Sequence, residues 1–463
     1  MAETTPNIII DESKIMSTLE AISEDAVRVR EVLAKASEMK GLDAVEATAL
    51  MSIESPELLE ELFQTARRVK DEIYGKRLVL FAPLYVSNLC ANDCTYCAFR
   101  KGNPAVHRRA LNQEEVAQET QLLIDQGHKR VLLVAGEAYP KAGLKYIFDC
   151  IETVYDVKSE WGEIRRVNVN IAPLEVDEFR ALKACKIGTY QVFQETYHKE
   201  TYSNVHLSGK KRDFDWRINA INRAMEAGID DVGIGVLFGL YDWRFETLAL
   251  LQHITQLEQH FGVGCHTISV PRIEPAVGAE ISEHPPMPMN DVDFRKLVAI
   301  LRLTVPYTGL IMSTREDPEM RRETLSLGVS QISAGSRTNP GGYGEEDYEM
   351  SQFSLGDHRS VDEVVRDITS MGYIPSFCTG CYRMGRTGQD FMELAKPGLI
   401  KHYCEVNAMS TFVEFLEHYA SPETKTAGDT LVNEILTEMT PERRSRTESL
   451  VTKVRDGEHD VYV

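Results

Sequence analysis

Three cysteines stand within one short run, Cys90-Ala-Asn-Asp-Cys94-Thr-Tyr96-Cys97, and a second set, Cys378-Thr-Gly-Cys381 with Cys404, follows toward the C-terminus. Thiolates grouped in this way ligate soft metals. A structural zinc site closes with a fourth ligand and usually shows paired CxxC or CxxC…HxxxH spacing, and no such pair lies near Cys90. A [4Fe–4S] cube is normally held by four cysteines, so three thiolates in one loop leave one iron open to bind something else. The set CxxC-x22-C reads the same way. There the zinc alternative is stronger, because His402 or another residue could complete a tetrahedral site of three cysteines and one histidine.

Such a loop needs a rigid element to carry it. Arg77–Val86 is rich in β-branched and aromatic residues and predicts a strand that ends at the first cysteine loop. Beyond it strand-like and helix-like segments alternate. The strands are Arg130–Ala135, Arg166–Ile171, Thr189–Gln194, Asp231–Phe238, His266–Pro271, Gly309–Ser313 and Gln331–Ala334. The helices are Asn112–Gly127, Leu144–Trp161, Val176–Ala184, Asp215–Ala227, Arg244–Phe261, Asp291–Leu303, Pro318–Leu327 and Val361–Met371. Eight strands, each followed by a helix, is the count of a closed (β/α)8 TIM barrel of the α/β class. An open doubly wound sheet is the runner-up. In a barrel, function gathers on the loops after the C-terminal ends of the strands, where the cysteine loop falls. The division that follows is an N-terminal helical extension over residues 1–76, the barrel over 77–372, and a C-terminal iron–sulfur helical domain over 373–463. The long irregular stretch Ser336–Ser360 reads as a lid or binding loop.

The chain has 463 residues, 43% of them hydrophobic and 26% charged, which supplies a sizeable core. Its net charge of −20 argues against nucleic acid as a partner, since phosphate contact needs a basic surface. The opening residues lack a basic and an apolar stretch, so no secretory signal is expected. The most apolar run, Leu78 to Val86, is too short to span a bilayer, so no membrane partner is expected either. Nine cysteines, six of them in two sets, suit metal ligation in the reducing cytoplasm rather than disulfides. Cys150, Cys185 and Cys265 stand singly and read as small hydrophobes.

The spacing Cx3CxΦC is similar to that of radical S-adenosylmethionine (SAM) enzymes, in which the open iron chelates the amino and carboxylate groups of SAM. Tyr96, the aromatic before the third cysteine, is assigned to the cofactor with the loop. After the second strand, Ala135-Gly136-Glu137 resembles the GGE motif that holds the SAM amino group, with Ala135 in place of the first glycine. Glu195 resembles the strand-four acid that holds the ribose hydroxyls in barrels of the biotin synthase type, and Arg217 the arginine that clamps the SAM carboxylate. Without the resemblance, each is a surface charge.

The two cysteine motifs with their flanking runs narrow the resemblance. Phe193-Gln-Glu-Thr-Tyr197, His266-Thr-Ile-Ser-Val-Pro-Arg272, Ser333-Ala-Gly-Ser-Arg337, Asp357-His-Arg-Ser360 and Cys378-Thr-Gly-Cys-Tyr-Arg383 resemble the HydG family of [FeFe]-hydrogenase maturases, which are radical SAM tyrosine lyases. The resemblance implies two [4Fe–4S] clusters. The first, with S-adenosyl-L-methionine, yields a 5′-deoxyadenosyl radical that takes hydrogen from L-tyrosine, giving p-cresol and dehydroglycine. The second carries an additional labile iron, bridged by L-cysteine and held by a histidine that His266 matches, and there CO and cyanide are captured as an Fe(CO)(CN) synthon. It also implies that Arg315, in Ser313-Thr-Arg-Glu316, holds the tyrosine carboxylate, with Ser333 or Ser336 nearby. A salt bridge from Arg315 to Asp317 or Glu319 is the plainer alternative. An electron donor such as ferredoxin or flavodoxin and companion hydrogenase maturases complete the implied partners.

Two other readings compete. A ThiH-like 2-iminoacetate synthase of thiamine biosynthesis shares the tyrosine chemistry but lacks the CxxC-x22-C appendage. A non-catalytic iron–sulfur carrier needs cysteine sets but neither Gly136-Glu137 nor a full barrel.

Overall fold

The computed structural model describes residues 5–344, 351–395 and 400–463. Eight parallel strands form the barrel: β1 (Arg77–Ser87), β2 (Arg130–Ala135), β3 (Arg166–Asn170), β4 (Tyr190–Glu195), β5 (Val232–Val236), β6 (Thr267–Ser269), β7 (Gly309–Met312) and β8 (Gln331–Ser333). They pair in sequence order, and β1 closes the ring against both β8 and β2. Every residue of β1 after Arg77 is buried, as expected for a parallel strand covered on both faces.

A ninth strand, β9 (Ile374–Ser376), departs from the expected eight. It pairs with the first residues of β1 in the register Arg77↔Ile374 and Val79↔Ser376, below the point where β2 begins at Ala82↔Val131. Three residues with a central proline carry too little pattern to be seen in sequence. The consequence is positional: β9 delivers Cys378 to the N-terminal mouth of the barrel.

Elsewhere the predicted elements shift by a residue or a few at their ends, with two substantive differences. The helix expected over Asp215–Ala227 is broken at Asn219 into Phe214–Ile218 and Ala220–Glu226, and Asn219 Oδ1 instead accepts from Ile8 N at 2.8 Å. A helix over Lys199–Val205 and a 3-10 turn over Lys210–Arg212 lie between β4 and that broken helix, where no element is expected.

The N-terminal extension forms four helices, the longest of which, Pro56–Tyr74, packs on Asp291–Thr304 and Pro318–Leu327 of the barrel. At the other end, helix Ile400–His418 packs on β9 and on helix Pro441–Arg455. One continuous core reaches from Ile8 to Val454 through all three segments. Among the described residues, no helix is long and apolar enough to cross a membrane.

Candidate active site

The cysteine loop lies over the C-terminal mouth of the barrel, and the segment after β4 clamps it. Thr95 N donates to Val205 O at 3.0 Å, Leu207 N to Asp93 O at 2.9 Å and Asp93 N to Ser208 O at 3.1 Å, a short antiparallel ladder between loop and clamp. Tyr96 is fixed at its far end by a 2.9 Å hydrogen bond between its hydroxyl and His206 Nε2. His206 Nδ1 lies 2.8 Å from the Tyr202 carbonyl, to which it can only donate, so Nε2 is the acceptor for Tyr96. Burial pushes the Cys90, Cys94 and Cys97 thiols up, with Lys211 opposing this at Cys94. Gln352 Nε2 donates to Cys97 Sγ at 3.6 Å.

Beneath the loop is a cavity of about 180 Å³ that opens to solvent. Its lining brings together Cys90, Cys94, Tyr96, Cys97, Gly136, Glu137, Glu195, Arg217, Arg315, Ser333 and Ser336, residues that the sequence separates by up to 246 positions (336 − 90). Gly136 is held there by its N–H on Ser87 O at 2.8 Å, and a Cβ at this position would strike the Leu89 carbonyl. Only glycine allows β2 to pass so close under the cysteine loop.

Four charged side chains form one buried cluster on this wall. Arg217 Nε donates to Phe193 O at 2.9 Å and its guanidinium pairs with Glu137. Lys211 Nζ donates to Glu195 Oε1 at 2.6 Å, and Asn92 Nδ2 to Glu137 Oε2 at 2.7 Å. Burial disfavours the Glu137 carboxylate, but Arg217 and Lys211 outweigh it and hold its pKa below the usual carboxylate range. Burial likewise opposes the charge on Arg217, and Glu137 and Glu195 outweigh it. Glu195 ends β4 with φ +73°, at a register shift between Phe193 and Glu195. A bulky residue in the left-handed region stores strain of the kind that accumulates at functional sites.

On the opposite wall, Arg315 stacks over the Phe353 ring at 3.3 Å from its centroid. The alternative salt bridge to Asp317 or Glu319 is absent: among the described residues no carboxylate pairs with Arg315, and Asp317 instead caps the helix Pro318–Leu327. Burial lowers the pKa of its guanidinium. Ser333 Oγ accepts from Thr314 N at 3.2 Å, whereas Ser336 Oγ is buried in the cavity wall without a partner. A cation without a carboxylate and an orphaned buried hydroxyl, both facing one cavity, suit a polar ligand.

Comparison with known proteins agrees with this geometry. The Radical SAM superfamily model matches residues 84–251, and the Biotin and Thiamin Synthesis associated domain matches 269–374. The 2-iminoacetate synthase of Escherichia coli K12 is 34% identical over 342 residues, covering 74% of this chain and 88% of that protein. A crystal structure of HydG, a maturase of the [FeFe]-hydrogenase, is 48% identical with a TM-score of 0.95, covering 98% of this chain and 99% of that one. The FeFe-hydrogenase maturase HydG from Carboxydothermus hydrogenoformans is 40% identical with a TM-score of 0.83, over 96% and 98% of the two chains. The chain belongs to the HydG family of radical SAM enzymes.

That family membership implies a [4Fe–4S] cluster with SAM, and the cavity's donor set fits both. Three thiols share one clamped loop, and the buried cluster beside them offers carboxylates and cations to a polar, zwitterionic ligand. Among the described residues, no three His, Cys, Asp or Glu side chains converge where a single metal ion could sit. Thiolates that each bind a different iron of a cube need no such convergence.

At the N-terminal mouth, a second, smaller cavity of about 40 Å³ is lined by Cys378, Cys381, Cys404 and His266, among other residues. His266 immediately precedes β6 rather than opening it, and its N–H donates to Val232 O at 2.8 Å. Its Nε2 lies 3.3 Å from Tyr382 Oη, and burial lowers its basicity against the pull of Asp231. Cys381 and Cys404 share a hydrogen bond that pushes Cys381 up and Cys404 down. Arg130 donates to Cys378 O at 2.8 Å, and the half-buried Arg77 feels all three thiols. The His402 side chain lies outside the described residues.

Sequence reasoning missed several contributors. Nothing distinguishes Lys211 from its neighbours Lys210 and Arg212 until the turn buries it against Glu195. Asn92 and His206 act through pairings across the cysteine loop and the clamp. Tyr382, Arg77 and Arg130 gain their place only through β9.

Proposed function

We propose that this chain is a radical SAM tyrosine lyase that cleaves L-tyrosine to p-cresol and dehydroglycine, converts the fragment to CO and cyanide, and assembles an Fe(CO)(CN) synthon for the [FeFe]-hydrogenase H-cluster. Cys90, Cys94 and Cys97 would hold the first [4Fe–4S] cluster. Glu137, Glu195 and Arg217 would hold SAM, and Tyr96 would wall it. When bound, cluster and SAM supply a carbon radical able to take hydrogen from an unactivated position. The chain's own residues orient the substrate for that event and exclude water. Arg315 binds the tyrosine carboxylate bidentately, as a planar guanidinium can. Ser333 and Ser336 add polar contacts, and Phe353 and Phe99 close an apolar wall.

Cys378, Cys381 and Cys404 would hold a second [4Fe–4S] cluster, and His266 its additional labile iron, with L-cysteine as a further ligand. Arg77 and Arg130 offset the thiolate charge. The single observation that carries the maturase reading over a 2-iminoacetate synthase is the gathering of these three cysteines and His266 around one cavity at the far mouth. Between the two cavities Gln191, Thr267 and Gln331 pack against Gly233 and Gly309 in the barrel interior, so small products would have to pass between these side chains. On this reading the three-part division of the chain is functional: barrel for radical chemistry, C-terminal segment for the second cluster. A low-potential electron donor of the ferredoxin or flavodoxin kind and companion maturases are the expected partners.

The test is anaerobic reconstitution with iron and sulfide, followed by product analysis with tyrosine, SAM and reductant. p-Cresol together with CO and cyanide supports the reading. p-Cresol with 2-iminoacetate but no CO would leave a 2-iminoacetate synthase. No SAM cleavage at all would leave an iron–sulfur carrier.

A further inference from the structure

Glu274 follows β6 and lines the cavity on the same wall as Arg315. Its backbone is fixed on both sides, by Ile273 N on Phe238 O at 2.9 Å and by Ser354 N on Pro275 O at 2.7 Å. The side chain is partly buried and makes no hydrogen bond or ion pair with any described residue. The other charges that face it are Arg315, Arg272, Glu316 and Asp317. Arg272 is already committed, with Nε on Glu316 Oε1 at 3.0 Å and a second nitrogen on Asp291 at 2.7 Å. Asp317 is committed to its helix cap. Glu274 and Arg315 remain, close enough to feel one another's charge, yet not joined in a salt bridge.

Two opposite charges that share a cavity wall and leave each other unpaired match a ligand carrying both signs a bond or two apart. We propose that Glu274 binds the α-ammonium of the amino-acid substrate, so that Glu274 and Arg315 together form a clamp for the zwitterionic head group. This rests on the tyrosine-lyase reading and adds to it the residue that selects an amino acid over its des-amino analogue. An Arg alone would accept any aryl-propanoate, whereas a buried carboxylate left without a cation disfavours the analogue. Burial and the nearby Glu316 raise Glu274 to about 7, so the clamp is complete only above that pH. The head group of SAM also carries both charges, but Glu137 and Arg217 would hold it.

The test uses reconstituted, SAM-loaded, unreduced protein, so that binding is read without turnover. L-Tyrosine and 3-(4-hydroxyphenyl)propanoate are titrated calorimetrically into wild type and Glu274→Gln, with SAM affinity as the control for folding. The expected result is a loss of tyrosine affinity of about ten- to a hundredfold in Glu274→Gln, with SAM affinity unchanged and propanoate affinity raised, because the carboxylate that disfavours it is gone. Wild-type tyrosine affinity should rise between pH 6 and 8, and the variant should show no such rise. Unchanged tyrosine affinity, or equal weakening of both ligands with SAM retained, would overturn the clamp. Should Glu274→Gln lose SAM binding too, the same comparison is made with Glu274→Asp, which keeps the charge and must keep the discrimination for the clamp to stand. A wild-type protein that binds no tyrosine would sink the lyase reading itself, a different outcome from a clamp that fails while tyrosine still binds.

Discussion

Lys211 and Glu195 form a buried ion pair, 2.6 Å long, in which each side chain is only 9% exposed. Glu195 sits on strained backbone at the end of β4, while Lys211 hangs from a turn whose main chain is bound to Asn92 in the cysteine loop at 3.0 Å. The pair therefore joins the strand that should face the ribose to the loop that should hold the cluster. Burial and Arg217 oppose the charge on Lys211, but Glu195, Cys94 and Glu137 outweigh them, and its affinity for a proton rises.

Lys211→Met should break this joint. Removing one partner of a buried pair leaves an uncompensated charge and costs about 3–5 kcal/mol, here toward the low end because Arg217 remains 3.9 Å from Glu195. Urea denaturation should show the loss, and SAM affinity should fall with it. A folded-state proton affinity above the unfolded one stabilises fully below the unfolded lysine pKa, so the difference from wild type should vanish only in strong alkali. A variant as stable as wild type at pH 7 would mean that the pair is energetically idle.

The backbone of Thr196 and Tyr197, just past Glu195, is pinned from behind by Glu246, which pairs with Thr196 Oγ1 and accepts from Tyr197 N at 2.8 Å. Burial raises Glu246 to about 8. In the unfolded chain it ionises near the ordinary carboxylate value, so between about pH 4.5 and 8 the folded state binds more protons and loses stability as pH rises, by at most about 1.4 kcal/mol per unit. Glu246→Gln supplies one donor and one acceptor, as the protonated acid does. Its urea midpoint should therefore fall less than the wild type's from pH 5.5 to 8; parallel behaviour would show that Glu246 is charged throughout.

The barrel was legible because burial on both faces forces continuous apolar strands, and the cysteine loops because thiolate spacing is constrained by the metal. Arg217 was legible as a SAM-carboxylate arginine by resemblance, but in a continuous helix. The break at Asn219 depends on Ile8, more than two hundred positions away, and local pattern cannot encode that. The same holds for Glu274, one polar residue in a proline-flanked loop until the fold sets it beside Arg315. β9 is the clearest case: its strand character comes from the first residues of β1, which β2 leaves without a partner, and not from Ile374-Pro375-Ser376 itself.

Arg315→Ala should remove the carboxylate half of the clamp. Breaking a buried charge pair with a ligand costs roughly 2–5 kcal/mol of binding. The aromatic stack on Phe353 is lost as well, a smaller effect. SAM cleavage without substrate should persist, since Glu137, Lys211 and Arg217 lie on the other wall. Calorimetric titration of tyrosine checks this, and an unchanged dissociation constant would assign the carboxylate to another group.

The two mouths of the barrel should be separable. Fully reconstituted protein should hold roughly nine irons, two cubes and one labile ion. Replacing Cys90, Cys94 and Cys97 together should remove about four of them and all SAM cleavage. Replacing Cys378 and Cys381 takes away two of three thiolates, and the neighbouring Arg77 and Arg130 cannot ligate iron in their place, so the second cube should be lost. p-Cresol should still form, because the cavity that binds tyrosine lies at the opposite end. His266→Ala should act more narrowly. The cube remains, but one imidazole is lost, and the labile iron with it, because imidazole is a strong donor for divalent iron and Tyr382, 3.3 Å away, helps to orient it. Iron content and the spectrum of an isolated second cube distinguish the three variants, and carbon monoxide infrared bands report the iron-bound product. If the Cys378/Cys381 variant still made the iron–carbonyl product, the C-terminal motif would be a structural staple, and the protein a tyrosine lyase whose fragments leave by the mouth they entered.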